Sequence, residues 1–86
     1  IEEEIEPGYY RFSARLDVED LNEKFELELP TMEAYETLGG LMLHHAEEIP
    51  EQGFTLELDG CILTVEEVSS SKIQTILVRT VNNGLI

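Results

Sequence analysis

Apolar positions fall at helical spacing in two stretches of the chain and alternate with period two in most of the others. The longer helical stretch is Tyr35 to Gly53, where Leu38, Leu41, Met42 and Ile49, with Ala46 and His45 between them, make one stripe. Glu36, Glu47 and Glu48 then stay in water, so the pattern predicts a core-facing amphipathic helix against which the rest of the chain packs. Pro50 cannot continue the helix, and Gly53 supplies the turn into the next strand. Gly39 and Gly40 sit inside the pattern at a cost of roughly 1 kcal/mol each relative to alanine, which predicts close approach of a neighbouring backbone, at Gly40 in particular. The shorter stretch, Val18 to Phe25, places Val18, Leu21 and Phe25 on an inner stripe and Glu19, Asp20, Glu23 and Lys24 outside, with Asp17 as the N-cap and Asp20 as a weak capping-box partner.

From Tyr9 to Leu16 the residues alternate, Tyr10, Phe12, Ala14 and Leu16 on one side and Tyr9, Arg11, Ser13 and Arg15 on the other, which predicts a half-buried strand. Asp59-Gly60 stands between two more alternating runs and is the pair favoured in a two-residue hairpin turn. Pairing Leu58 with Cys61 sets Leu56 opposite Leu63 and Phe54 opposite Val65, so six apolar side chains share one face. A second reversal at Ser69-Ser70-Ser71 leads to a strand from Lys72 to Val81. There Ile76 and Val78 compete with Ile73, Leu77 and Val81 for the core, the mixed pattern of a central strand. Glu26 to Pro30 alternates too briefly and reads as a loop. Ile1 to Pro7, four glutamates in seven residues, reads as an extended acidic linker from something upstream, and residues 82–86 read as a loose tail. The expected fold is α+β, an antiparallel sheet of about four strands carrying two helices.

At 86 residues the chain has room for one core. Its net charge of −14 opposes nucleic acid and anionic lipid as partners, while a cation or a basic protein surface stays compatible with it. No apolar run reaches the roughly 20 residues that span a bilayer. Cys61 is the only cysteine, which fits a reducing compartment, and its place on the inner hairpin face makes it a small core residue rather than a reactive thiol. His44 and His45 are adjacent and point in different directions along a helix, so they cannot share a metal as an i, i+4 pair would. His44 with Glu47 or Glu48 would make at most a two-ligand cation site, and Asp17, Glu19 and Asp20 lack the spacing of a calcium loop. Neither a nucleophile motif nor a phosphate-binding glycine loop is present, so the expectation is a module that is not an enzyme. The only basic residues on the first strand, Arg11 and Arg15, are candidate partner-binding residues.

The series Thr37, Gly40 and Leu41, then Ile49, Pro50 and Gly53, after Val18-Glu19-Asp20-Leu21-Asn22 and Leu29-Pro30 and before a terminal hairpin, resembles the CorC/HlyC transporter-associated domain over roughly Gly8 to Val81. The resemblance implies a C-terminal module that follows a transmembrane region and a pair of CBS domains, in hemolysin-type and magnesium and cobalt efflux proteins. It implies the cytoplasmic face of a membrane, residues 1–7 as the join to the CBS pair, and a regulatory or assembly role exercised by docking on those neighbours or on a second copy. The alternative is a sensor for a small ligand: FAD, which the family's fold association suggests, a nucleotide or a divalent cation. The chain shows no FAD site of its own, and the two histidines stand where the family usually has aliphatic or varied residues, so neither inherits a role.

Overall fold

The computed structural model describes residues 1–46 and 48–81. Five strands, β1 (Glu2–Glu6), β2 (Tyr9–Ser13), β3 (Thr55–Leu58), β4 (Cys61–Ser69) and β5 (Lys72–Thr80), pair antiparallel in the order β1-β2-β5-β4-β3. Two helices, α1 (Val18–Phe25) and α2 (Leu38–His45), are inserted between β2 and β3. The α+β class stands, with one strand more than expected.

That extra strand is β1. The acidic stretch expected to be a linker is instead an edge strand, Glu3 opposite Arg11 and Glu4 opposite Tyr10, with every residue exposed. Glutamates along an edge keep it from recruiting further strands, and here they also find cations, Glu3 at Arg11 and Glu2 at Lys24. Composition alone reads such a run as solvated chain, because the cross-strand partners lie elsewhere in the sequence.

The hairpin follows the predicted register, Leu58 with Cys61 and Leu56 with Leu63, and Val65 donates its amide to the Phe54 carbonyl at 2.8 Å. Asp59 and Gly60 have φ of 41° and 85°, the doubly left-handed turn that suits the strand twist. The mixed pattern of the last strand has a physical cause. Glu66 on β4 and Gln74 on β5 each fall out of the ladder, and the two offsets restore the register at Val68 and Ile73. Ile76 and Val78 therefore face the core on one side of the irregularity and Ile73 packs against it on the other. β5 is the central strand.

α1 has its predicted bounds and its Asp17 cap, the Asp17 side chain accepting from the Glu19 amide at 3.0 Å, whereas Asp20 makes no capping-box bond among the described residues. Phe25 packs on Tyr10 and Phe12, ring centroids 4.8 and 5.2 Å apart. The stretch after it has no strand, yet Leu27 and Leu29 are buried, because Asn22 both donates to the Leu29 carbonyl and accepts from its amide, each at 2.9 Å. One side chain takes the place of a β partner.

α2 departs from the expected long helix. It runs only from Leu38 to His45, capped by Thr37, and Ala46, the residue after it, has an extended backbone. Tyr35 to Thr37 is tied instead to the entrance of α1, where Val18 donates to Glu36 and Leu38 donates to Leu16, both at 2.9 Å. Leu38, Leu41 and Met42 are fully buried, but Ile49, expected on the same stripe, is 57% exposed. With the helix ended a turn earlier, nothing carries Ile49 inward. Glu47 and the expected tail, 82–86, lie outside the described residues.

Candidate functional site

The six motif residues divide by what they touch. Leu41 and Pro50 are buried, and Gly53 donates its amide to the Val65 carbonyl at 2.7 Å, so these three join α2 to the hairpin. Thr37, Gly40 and Ile49 line a groove instead. They meet Ser13, Ala14 and Arg15 from the end of β2, Gly39 and Leu43 from α2, and Ser71 to Gln74 from the turn into β5. The groove is about 500 Å³.

Its floor is set by the glycines. Gly39 donates to the Ala14 carbonyl at 2.9 Å, and a Cβ added there would lie 3.1 Å from both the Cβ and the carbonyl oxygen of Ala14. Close backbone approach therefore falls at Gly39. Gly40 is tight against its own preceding turn, 2.9 Å from the Tyr35 Cβ and 3.3 Å from the Thr37 hydroxyl. All four amides of the first turn are engaged: Leu38 to Leu16, Gly39 to Ala14, Gly40 to the Thr37 hydroxyl and Leu41 to the Thr37 carbonyl. A helix start binds phosphate through free amides, and this one has none to offer.

The rim carries what is unusual. Leu43 is 49% exposed beside the exposed Ile49, and the only charged side chains lining the groove are Arg15 and Lys72. Neither makes an ion pair among the described residues. The other candidate arginine is placed quite differently. Arg11, on the outer face of β2, donates Nε to both carboxylate oxygens of Glu66 at 2.9 and 3.0 Å and Nη1 to Glu3 at 2.9 Å. Thr75 adds a 2.9 Å donation to Glu66. Arg11, with Thr75 helping, holds the Glu66 carboxyl below its ordinary range against the effect of partial burial, and Glu66 and Glu3 in turn raise the guanidinium. Arg11 is thus committed within the sheet.

Other candidates carry less chemistry. His44 and His45 stand edge to face, 5.2 Å apart, with Tyr35 5.5 Å from His44. No group of three or more His, Cys, Asp or Glu is placed to hold a metal among the described residues. Burial, with Asp59 nearby, pushes the Cys61 thiol up, as suits a core residue. A separate cleft of about 560 Å³ is lined by Asp17, Glu19, Glu33 and Glu36 with Met32 and Tyr35, and is acidic. Sequence reasoning missed Leu43, Lys72 and Ser71 as neighbours of the motif. Leu43 alone left a trace, an apolar residue off the buried stripe of its helix.

The family model of the CorC_HlyC transporter-associated domain matches residues 3–82. The chain belongs to that family. A UPF0053 protein of Haemophilus influenzae is 43% identical over 58 residues, 67% of this chain but only 14% of that relative's length. A region from Neisseria meningitidis described as associated with a Mg2+ and Co2+ transporter (CorC) superposes with a TM-score of 0.83 at 24% identity, covering 93% of this chain and 98% of the other. The CorC_HlyC domain of a Xylella fastidiosa hemolysin, solved in complex with Mg++ and Mn++, gives 0.82 at 22% identity over 94% and 98%. These two share the fold. No helix among the described residues is long and apolar enough to cross a membrane.

Proposed function

We propose that this transporter-associated domain is a regulatory or assembly module of a membrane ion-transport protein of the hemolysin or magnesium and cobalt efflux type. It acts by docking, on the cytoplasmic side, onto the CBS domains or transmembrane region of its own protein or onto a second copy. The observation that carries this reading is the groove beside α2. Three family-motif residues, Thr37, Gly40 and the exposed Ile49, meet there the exposed Leu43 and two cations that are unpaired among the described residues, while the other described cations are engaged: Arg11 and Lys24 with glutamates, Arg79 over the Tyr9 ring. A concave apolar surface with a few polar groups at its rim is the form such contacts take. The module is not an enzyme on this reading.

Deleting residues 8–86 from the full-length protein tests the proposal. The ion dependence or rate of efflux should change while the membrane-inserted core remains. Unaltered rate, affinity, regulation and assembly would overturn it. A second reading, a divalent-cation sensor, takes support from the Mg++ and Mn++ bound to the Xylella domain. A stoichiometric magnesium site that survives physiological salt in calorimetry would favour it, whereas docking expects only diffuse, salt-sensitive association with the carboxylates.

A further inference from the structure

We infer that the groove beside α2 takes an acidic protein segment bearing aliphatic side chains, with the aliphatic groups seated against Leu43, Ile49 and Ile73 and the carboxylates at Arg15 and Lys72. The inference rests on the docking reading above and names the chemistry of the partner.

Charge complementarity carries it. The chain has a net charge of −14, yet the charged residues that line this groove are both cations. Elsewhere Arg11 is balanced by Glu3 and Glu66 and Lys24 by Glu2, and Arg79, which has no carboxylate partner among the described residues, lies over the Tyr9 ring. With 19 acidic residues in the chain, two cations without a carboxylate among the described residues, gathered at one apolar depression, are where a partner's carboxylates would complete the pattern. With them the groove is lined by Ala14, Gly39, Gly40, Leu43, Ile49 and Ile73, interspersed with the neutral polar Ser13, Thr37, Ser71 and Gln74. Such a surface gains from burying aliphatic side chains, and Leu43 and Ile49 are already exposed at 49% and 57%.

Two other anionic occupants fit less well. A phosphate-bearing ligand would have Arg15 and Lys72 but no free amide at the first turn of α2, whose amides are engaged by Leu16, Ala14 and Thr37. An anionic membrane presents charge over a wide area, and the chain's net charge of −14 opposes it. A short segment brings only a few carboxylates and places them at the two cations.

Selection from a displayed library of random dodecapeptides against the isolated domain tests the inference. Peptides rich in Asp or Glu and in Leu or Ile should be enriched, and their binding should shift the amide resonances of Gly39, Leu43 and Lys72. Arg15→Glu with Lys72→Glu, both exposed positions, should weaken the best of these by at least about tenfold while the thermal transition stays in place, and high salt should weaken the wild-type complex. Leu43→Asp supplies an independent loss through the apolar rim. No enrichment, enrichment of basic peptides, or acidic peptides whose affinity ignores both the charge reversal and Leu43→Asp would overturn it. So would binding of the domain to phosphatidylglycerol vesicles through Arg15 and Lys72 in preference to the peptides. If deletion of the domain alters transport in the full-length protein but the double charge reversal does not, docking stands and this groove is not its surface.

Discussion

The two ends of β4 make opposite use of the same turn geometry. At its start, Asp59-Gly60 takes φ of 41° and 85° with residues that adopt those angles at little cost. The neighbouring side chains pack inward, Leu58 beside Cys61 and Leu56 beside Leu63. At its finish the turn is Ser70-Ser71, also left-handed at 52° and 64°, with neither glycine nor asparagine to ease it. That strained end adjoins the groove, together with Lys72, the tight Ala14–Gly39 contact and the exposed Leu43. One end obeys every local rule of stability. The other sets several aside at once, which is where binding surfaces are expected to lie.

The largest effect that would sharpen this contrast lies under the groove. Gly39→Val should overpack against Ala14 by about 1–3 kcal/mol and lower Tm by about 4–8 °C for each kcal/mol, read by calorimetry. A valine that leaves Tm unchanged would mean the close approach is dispensable. Next in size, Ser70→Asn with Ser71→Gly should raise stability by about 1 kcal/mol by relieving left-handed strain, less the added chain entropy of glycine. If the pair gives no gain, the two turns are energetically alike and the comparison breaks.

The smallest effect concerns Arg11 and Glu66, whose side chains are 32% and 29% exposed. A carboxyl whose folded value lies below its ordinary one stabilises fully above about 4.3, the ordinary glutamate value, and loses that contribution as pH falls through the folded value. Wild type should therefore exceed Glu66→Gln slightly in Tm at neutral pH, and the gap should close on acidification. The gap is modest because solvent screens the pair. A gap that widens in acid would contradict the assigned direction.

Local pattern was enough for α1, its Asp17 cap, the β3–β4 hairpin and its register, since each follows from contacts between near neighbours in the chain. The resemblance to the family likewise followed from motifs read in order along the chain, the most specific being six residues from Thr37 to Gly53. Their separation into three that hold α2 to the hairpin and three that face a groove was not legible, because the opposing wall comes from Ser13 to Arg15 and Ser71 to Gln74, tens of residues away on either side. For the same reason Arg11 and Arg15 looked equivalent along one strand. Folding brings Glu66 and Glu3 to Arg11, whereas β2 ends at Ser13 and leaves Arg15 at the groove. Composition likewise made Glu2 to Glu6 a linker until β2 supplied its partners, and helical periodicity carried α2 past His45 because it does not register what ends the helix. Side chains that meet only across the sheet are assigned by tertiary geometry, and that is where structure and binding surface parted in this domain.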